Sequence, residues 1–263
     1  SHLPRSSYHQ CQILDLDHNR NIVNGCDDSV LMAVKDQLVT LRRARGYAPA
    51  SVKLPFNLEK PLLALGANQK STIAIGFDNE VILSPHIGDL NTIDSLGYFE
   101  KNIHILERIY DFKPALVMHD KHPNYESTKY ALSHYENTQS EHHYAHILGV
   151  MAEKKITSKV LGVAFDGTGY GDDGTLWGGE FLLCDREGYE RVAHLAYFKL
   201  LGGAKAIKEP KRIALSLLFD LYGEEALMLE AETIKAFSAS ELKSYFIAWK
   251  KGLNAPISSS AGR

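Results

Sequence analysis

Two histidines one helical turn apart are the side chains of this sequence best placed to do chemistry. His142 and His146 lie at positions i and i+4 of the run 141–146, Glu-His-His-Tyr-Ala-His. On a helix this spacing puts both imidazoles on one face, where they can bind one metal ion. Neutral imidazole suits zinc or iron. The alternative is a surface histidine cluster; the glutamate of the HExxH motif of zinc proteases is absent.

An acidic residue before a glycine-rich run is the second candidate. Asp166 follows the apolar residues 160–165 and precedes four residues predicted to bind nucleotide, namely Gly167, Thr168, Gly169 and Gly171. Glycines let backbone N–H groups approach phosphate closely, as in the strand–turn–strand loop of actin-like ATP-binding folds. We predict that Asp166 joins the two histidines as a ligand and leaves coordination positions for phosphate oxygens. The alternative is an ordinary glycine-rich hairpin.

Three further stretches could bind parts of a ligand. Lys70, in the polar stretch 66–72, could act as a point charge for phosphate. Gly202 and Gly203 could receive the sugar or base of a nucleotide by close backbone approach. Arg43 and Arg45 could hold an anion. The alternatives are a polar hairpin, a loop before a helix and a solvated basic turn.

Strands and helices follow one another in an order typical of two lobes of similar design with a cleft between them. Strands are predicted at 12–14, 29–34, 37–41, 62–65, 71–77, 80–84, 115–118, 160–165 and 176–184, with hairpin turns at 35–36 and 78–79. Helices are predicted over 91–110, 128–137 and 142–153, and the remainder from Lys208 is predicted to be mostly helical. Pro49, Pro55 and Pro61 punctuate a predicted linker.

Composition and charge limit the possible classes. The net charge of -3 argues against nucleic acid as the main partner. No apolar run approaches the ~20 residues that span a bilayer, and residues 1–4 lack the features of a signal peptide. Cys11, Cys26 and Cys184 form no CxxC pair. We therefore predict a cytoplasmic protein with no membrane and no nucleic acid as partners.

Several short motifs of this sequence occur in the same order as in one known protein family. They are Cys-Asp-Asp-Ser-Val at 26–30, Arg-Arg-Ala-Arg-Gly-Tyr at 42–47, Ser-Pro-His-Ile-Gly-Asp-Leu at 84–90, His-Pro at 122–123 with Ser-Thr at 127–128, His-His-Tyr-Ala-His at 142–146, Phe-Asp-Gly-Thr-Gly-Tyr-Gly-Asp-Asp-Gly at 165–174 and Trp-Gly-Gly-Glu at 177–180. Together they resemble the HypF family, carbamoyltransferases of nickel–iron hydrogenase maturation. Two blocks are specific to the family: the one at 142–146, and the one at 165–174 together with 177–180.

The resemblance implies an α/β fold: a two-lobed actin-like ATPase domain of ribonuclease-H-like and Kae1-like type. It implies that this domain is incomplete at its C-terminus and follows the tail of a YrdC-like α/β domain. Residues 1–54 would be that tail, 55–60 a linker, 61–155 the first lobe with the HxxxH helix, and 156–263 the second lobe.

The resemblance also implies an activity. The family uses carbamoyl phosphate and ATP, with magnesium, to form carbamoyl adenylate. It passes the carbamoyl group to the C-terminal cysteine of a HypE-type maturation protein, where the group becomes cyanide. The family's divalent metal site, holding zinc or iron, would carry over to His142, His146 and Asp166. Arg43 and Arg45 would be candidates for binding carbamoyl phosphate.

The family pattern predicts a further metal-binding aspartate in an Asn-Asp-Gly-Gly stretch that this sequence does not contain. We therefore expect that the chain, purified alone, neither exchanges pyrophosphate into ATP nor carbamoylates the partner. Two alternatives stay open. One is a threonylcarbamoyl-transfer enzyme of tRNA modification, and the other is an inactive fragment that binds nucleotide.

Overall fold

An antiparallel hairpin opens the described part of the chain. The computed structural model describes residues 25–263, so the strand predicted at 12–14 lies outside the described residues. β1 (Val30–Val34) pairs with β2 (Gln37–Arg42). Lys35 adopts φ 54 in the turn between them, the left-handed conformation that two-residue hairpin turns use. The predicted hairpin is therefore confirmed.

A six-stranded mixed sheet forms the first lobe. Its strand order is β3-β6-β5-β4-β7-β8, and β7 runs parallel to both of its neighbours. Because alternate side chains of a strand point to opposite faces, Leu63 and Leu65 point into one core together with Ile73 and Ile75. The strands are β3 (Ala50–Lys53), β4 (Leu62–Leu65), β5 (Ile73–Phe77), β6 (Glu80–Leu83), β7 (Leu116–Asp120) and β8 (Asn137–Ser140).

Two helices pack in this lobe. α1 (Ile93–Ile109) begins at a capping box formed by Thr92 and Ser95, as the predicted helix over 91–110 requires. Its buried residues share the core of β4 and β5. α2 (Glu126–His134) ends earlier than the predicted helix over 128–137. That prediction is wrong at its end, because residues 137–140 form β8 and pair with β7.

The second lobe is built on a long hairpin. β9 (Val160–Tyr170) pairs antiparallel with β10 (Leu176–Cys184), which confirms the predicted strand pair. α3 (His142–Lys154) packs Ile147 and Met151 against this hairpin. Three strands that the sequence analysis missed extend the sheet: β11 (Tyr189–His194), β12 (Phe198–Lys199) and β13 (Ile257–Ser258).

A helical unit with its own core follows, as predicted for the remainder of the chain. Phe219 of this unit packs edge-on against Phe246 and beside Trp249. Its helices are α4 (Ala204–Lys208), α5 (Lys211–Tyr222), a 3-10 helix (Gly223–Met228), α6 (Glu232–Lys235) and α7 (Ala239–Lys251). Among residues 25–263, no helix has the length and apolarity needed to cross a bilayer.

Two elements lie close to the predicted domain boundaries. β3 (Ala50–Lys53) precedes the predicted linker at 55–60 and is hydrogen-bonded to β6 within the first sheet. α3 precedes the predicted lobe boundary at 155 and packs on the second lobe. The division of the chain into domains stays a prediction.

Candidate metal centre

A buried glutamate fixes where α3 begins. Glu141 is the N-cap, and its Oε2 accepts a hydrogen bond from the Tyr144 backbone N at 2.7 Å. Its Oε1 lies 2.9 Å from Nδ1 of His143, and both side chains are fully buried. A cap of this kind satisfies backbone N–H groups at the first turn of a helix. The helix therefore starts at His142, and His142 and His146 share one face.

A glycine in β9 lets α3 approach the strand. A Cβ atom on Gly169 would lie 2.3 Å from Cε1 of His143 and 2.9 Å from Cβ of His142. Real Cβ atoms do not make such short contacts, so a larger residue would push the helix away. The close packing brings the exposed face of α3 over Asp166, three residues earlier in the same strand.

The structure brings the three predicted metal ligands together. Nε2 of His142 lies 3.0 Å from Oδ2 of Asp166 and 3.1 Å from Nε2 of His146. Nε2 of His146 lies 3.8 Å from the same Asp166 oxygen. Ligands bound ~2.1 Å from one ion lie about 3.0–3.4 Å from each other in octahedral or tetrahedral geometry. Two of the three separations fall in this range, and the third, from His146 to Asp166, is longer, so a small movement of the exposed His146 ring would bring all three atoms to one ion.

The type of donor favours some metals over others. Two imidazole nitrogens and one carboxylate oxygen suit zinc or iron, whereas magnesium and calcium prefer all-oxygen sites. Three protein ligands leave positions for oxygens of a substrate. The residues present therefore fit the predicted divalent ion.

Asp120, which the sequence analysis did not select, holds His142 in place. It ends β7, and its side chain is only 7% exposed. Its Oδ2 accepts from Nδ1 of His142 at 2.7 Å, while its Oδ1 accepts from the His122 backbone N at 2.8 Å. Metal-binding histidines commonly donate their second ring N–H to a carboxylate in this way. The only signal in the sequence is an aspartate at the end of an apolar strand.

The hydrogen bonds of the cluster shift the pKa values of its members. Burial acts to lower the pKa of His142, but hydrogen bonds to Asp120 and Asp166 raise it to about 9. The hydrogen bond from His142 lowers the pKa of Asp166 well below its ordinary value. Burial lowers the pKa of His146, and the charge of His142 lowers it further. A proton on His142 thus occupies the place that a metal ion would take.

The glycine-rich run is a strand and not a loop. The sequence analysis placed Asp166 at the end of a strand, but β9 continues to Tyr170 and the turn lies at 171–175. That prediction is wrong because the run pairs with β10, Gly169 opposite Trp177. Two of its glycines make room for rings: Gly169 for His143, and Gly171 for the indole of Trp177.

The remaining predicted residues lie in three different places. Lys70 is exposed in the turn after β4, and because β4 and β7 are parallel this turn lies at the same sheet edge as Asp120. Gly202 borders a second cavity of about 330 Å³, which shares no lining residue with the metal cluster. Gly203 lies against Oδ1 of Asn254.

The two predicted anion-binding arginines are exposed on the surface near the start of the described residues. Arg45 donates to the Cys26 carbonyl at 3.1 Å and lies 3.7 Å from Asp28. Arg43 is joined to the first lobe through its carbonyl, which accepts from the His86 backbone N. These contacts do not bring either side chain to the metal cluster.

A cavity of about 580 Å³ opens beside the cluster. His146 and Asp166 form its polar end, and apolar side chains of α3 and β9 form the rest of its wall. Leu161, Val163 and Phe165 of β9 are each more than half exposed along it. The metal residues are therefore accessible to a ligand.

Two protein-family models match most of the chain. The model of the HypF Kae1-like domain matches residues 57–153. The model of the second subdomain of the carbamoyltransferase Kae1-like domain matches residues 162–263. The first match contains His142 and His146, and the second contains Asp166, so the cluster joins the two matched regions.

Curated relatives carry the same family name. The carbamoyltransferase HypF of Synechocystis sp. is 48% identical over 214 residues, which are 79% of this chain and 27% of the relative. The probable carbamoyltransferase HypF of Methanocaldococcus jannaschii is 38% identical over 252 residues, 94% of this chain and 33% of the relative. The chain thus spans 27% and 33% of the length of these two relatives.

Solved structures are similar over nearly the whole chain. Full-length HypF in its phosphate- and nucleotide-bound form matches with a TM-score of 0.85 at 36% identity, covering 92% of this chain and 38% of that one. HypF of T. kodakarensis matches with a TM-score of 0.79 at 32% identity, covering 90% of this chain and 32% of that one. The two-lobed architecture of residues 57–263 is therefore the Kae1-like one.

Proposed function

Because the chain belongs to the HypF family of carbamoyltransferases, we propose that it supplies the metal- and nucleotide-binding part of such an enzyme. The complete reaction would consume carbamoyl phosphate and ATP, with magnesium, and form carbamoyl adenylate. The carbamoyl group would then pass to the C-terminal cysteine of a HypE-type maturation protein. The chain would contribute the site at which the adenylate is held during transfer.

The convergence of His142, His146 and Asp166 is the observation that carries the proposal. The three donor atoms lie within 4.8 Å of one another, and Asp120 orients the first of them. A divalent ion held there would act as a Lewis acid on phosphate oxygens. Zinc or iron suits this set of two imidazole nitrogens and one carboxylate oxygen.

Three features support a nucleotide as the ligand. The cavity beside the cluster lies on β9, next to the predicted phosphate-binding residue Thr168. The turn that holds Lys70 lies at the sheet edge where Asp120 reaches the cluster. A similar solved protein, full-length HypF, binds phosphate and nucleotide. We extend this binding to the present chain as ATP or its adenylate product.

The transfer step explains why a phosphate-holding site is needed. The cysteine reacts as its thiolate after its proton has passed to solvent: the sulfur forms a bond to the carbamoyl carbon, while the bond from that carbon to the AMP oxygen breaks. The electron pair of the broken bond stays with AMP, so negative charge increases on its phosphate. Donors fixed around that phosphate stabilise the developing charge.

Metal retention and ADP binding test the proposal on the chain itself. The chain is dialysed against Zn²⁺ or Fe²⁺, its metal content is measured, and ADP is titrated by calorimetry. We expect about one ion per chain and tighter ADP binding with the ion present. His142→Ala should lose both effects because it removes the central donor of the cluster.

The matched control is His104→Ala. His104 is an exposed residue of α1 that pairs with Glu107 of the same helix. It should keep the metal and the metal-dependent binding of ADP. Equal metal retention by wild type and His142→Ala would contradict the assignment of the metal ligands. The same ADP affinity with and without the ion would contradict the proposed nucleotide site.

A further inference from the structure

The segment 258–263 runs directly beside the metal cluster. Oγ of Ser260 donates to the carbonyl of Asp166 at 2.6 Å, and the Gly262 backbone N donates to the same carbonyl at 2.9 Å. A Cβ atom on Gly262 would lie 2.9 Å from the backbone of Asp166. The close contact at Gly262 places the next residue, Arg263, against β9.

The guanidinium of Arg263 has more N–H donors than it uses in hydrogen bonds to the described residues. It lies over Gly167, where a Cβ atom would be 3.2 Å from Cζ, and Nη2 donates to the hydroxyl of Thr168. Its Nε is buried and has no hydrogen-bond partner among the described residues. The carboxylate of Asp166 acts on it through space without forming an ion pair within 25–263. A guanidinium carries five N–H donors; with Nε buried and one Nη2 hydrogen on Thr168, the donors of Nη1 and the second hydrogen of Nη2 remain for a ligand.

The backbone N–H groups of the glycine-rich strand are poorly placed to bind a phosphate beside Asp166. The N–H of Gly167 donates to the carboxylate of Asp166 at 2.6 Å. Gly169 pairs with Trp177 of β10, and the Gly171 backbone N donates to the Thr175 carbonyl at 3.0 Å. Side-chain donors such as the Arg263 guanidinium are therefore better placed to bind an anion beside Asp166.

A tyrosine of the first lobe faces the same region. Tyr125 is the N-cap of α2 and follows Asp120, the end of β7, by five residues. A tyrosine hydroxyl is protonated at neutral pH and can donate a hydrogen bond. The ring stacks on His122 with centroids 4.1 Å apart, and His122 meets Tyr170 edge-on. This aromatic stack fixes the position of the tyrosine.

We propose that Arg263 and Tyr125 form a phosphate-binding subsite immediately beside the metal cluster, with the Thr168 hydroxyl accepting from the guanidinium and holding it in place. The ligand is the phosphate group of a nucleotide or of a free phosphate compound, since both present the same oxygens. The arginine fork matches two phosphate oxygens, which a lysine cannot do. The proposal deepens the proposed function and rests on it: the metal residues hold one side of the phosphate and Arg263 the other.

Titration calorimetry with three probes tests the subsite. ADP, adenosine and inorganic phosphate are titrated into wild type, Arg263→Gln, Arg263→Lys and the control Arg108→Gln, an exposed arginine in the last turn of α1. Loss of a charged hydrogen-bond donor predicts about ten- to hundredfold weaker binding of ADP and phosphate to Arg263→Gln. Arg263→Lys should be intermediate, while adenosine binding and the control should not change.

The three probes and the metal content separate the possible outcomes. Phosphate binding as tight as ADP would identify a free phosphate compound as the ligand, and much tighter ADP binding would identify a nucleotide. Unchanged ADP affinity in Arg263→Gln, an equal loss for adenosine, or no phosphate binding by wild type would each overturn the subsite. Arg263→Gln should retain the metal, whereas His142→Ala should lose it. Loss of phosphate binding with the metal retained therefore tests the subsite separately from the metal site.

Discussion

At the scale of single residues, the metal cluster depends on the carboxylate of Asp120, which is not one of the three predicted metal ligands. Asp120 accepts the Nδ1 proton of His142, which leaves the Nε2 atom, facing Asp166 and His146, for a proton in the metal-free protein or for the metal ion. Without this acceptor the imidazole can change its tautomer or rotate. Asp120 therefore acts as a positioning residue, and its effect should appear in metal affinity.

Asp120→Asn should weaken binding of Zn²⁺ to the chain by about 10–100-fold, the usual effect of losing such a partner. The measurement is competition with a chromophoric chelator. Asp111→Asn is a matched control, because Asp111 is exposed at φ 46, a conformation that asparagine tolerates. An unchanged affinity in Asp120→Asn would show that His142 is positioned by other contacts.

At the scale of elements, the metal cluster exists because a helix and a strand pack with almost no space between them. α3 and β9 share a core through Ile147, Met151 and Ala164. The contact at Gly169 sets the distance between the two elements. A metal site that spans them is therefore sensitive to a single methyl group at that contact.

Gly169→Ala should destabilise the chain by about 1–3 kcal/mol, the usual cost of overpacking a core. It should also weaken metal binding, because α3 must shift away from Asp166. Urea denaturation and metal content measure the two effects. Gly188→Ala is the control, since a Cβ atom there meets nothing within 4 Å. Wild-type stability and metal binding in Gly169→Ala would mean that α3 can move without disturbing the site.

At the scale of the whole molecule, a buried carboxylate joins the end of the chain to the centre of the second sheet. Glu180 of β10 is fully buried. Its Oε1 accepts from the Gly178 and Gly179 backbone N–H groups and from the hydroxyl of Ser259. Its Oε2 accepts from Nε of Arg191 at 2.6 Å. The same network therefore holds the segment that carries the proposed phosphate subsite.

Glu180→Gln should lower the free energy of unfolding at pH 7 by about 1–3 kcal/mol, because it removes the buried carboxylate charge that faces Arg191, which keeps Asp173 as a second partner at 3.1 Å. Burial acts to raise the pKa of Glu180, but the hydrogen bonds from Arg191 and Ser259 lower it overall below the ordinary value of a glutamate. A carboxylate with a lowered pKa stabilises the folded state above its unfolded pKa, and this stability is lost as pH falls through the folded pKa.

The difference between wild type and Glu180→Gln should therefore shrink as the pH falls from the ordinary pKa of glutamate towards the lowered pKa of Glu180, where the wild-type carboxylate becomes protonated. Urea denaturation at several pH values measures this. Glu187→Gln, an exposed residue in a surface pair with Arg186, should show little effect at any pH. A difference that does not change with pH would show that Glu180 acts through shape and not through charge.

The sequence by itself determined the local elements and the residues with the strongest chemistry. The spacing of His142 and His146 needed only helical geometry, and residues 160–184 carried the pattern of a strand pair. Period and spacing are properties of neighbouring residues, so they can be predicted without knowledge of the fold. The order of the motifs also predicted the family, which the family models and the relatives confirm.

Only the tertiary structure decided which distant residues complete the site. Asp120 reaches His142 across 22 positions of sequence, and Ser260 reaches Asp166 across 94. The tertiary structure also shows what one of the glycines does. Gly169 allows α3 to pack closely on β9, although the Gly-Thr-Gly pattern by itself resembles a phosphate loop. Such contacts depend on how strands and helices pack, and packing is a property of the whole chain that no local pattern contains.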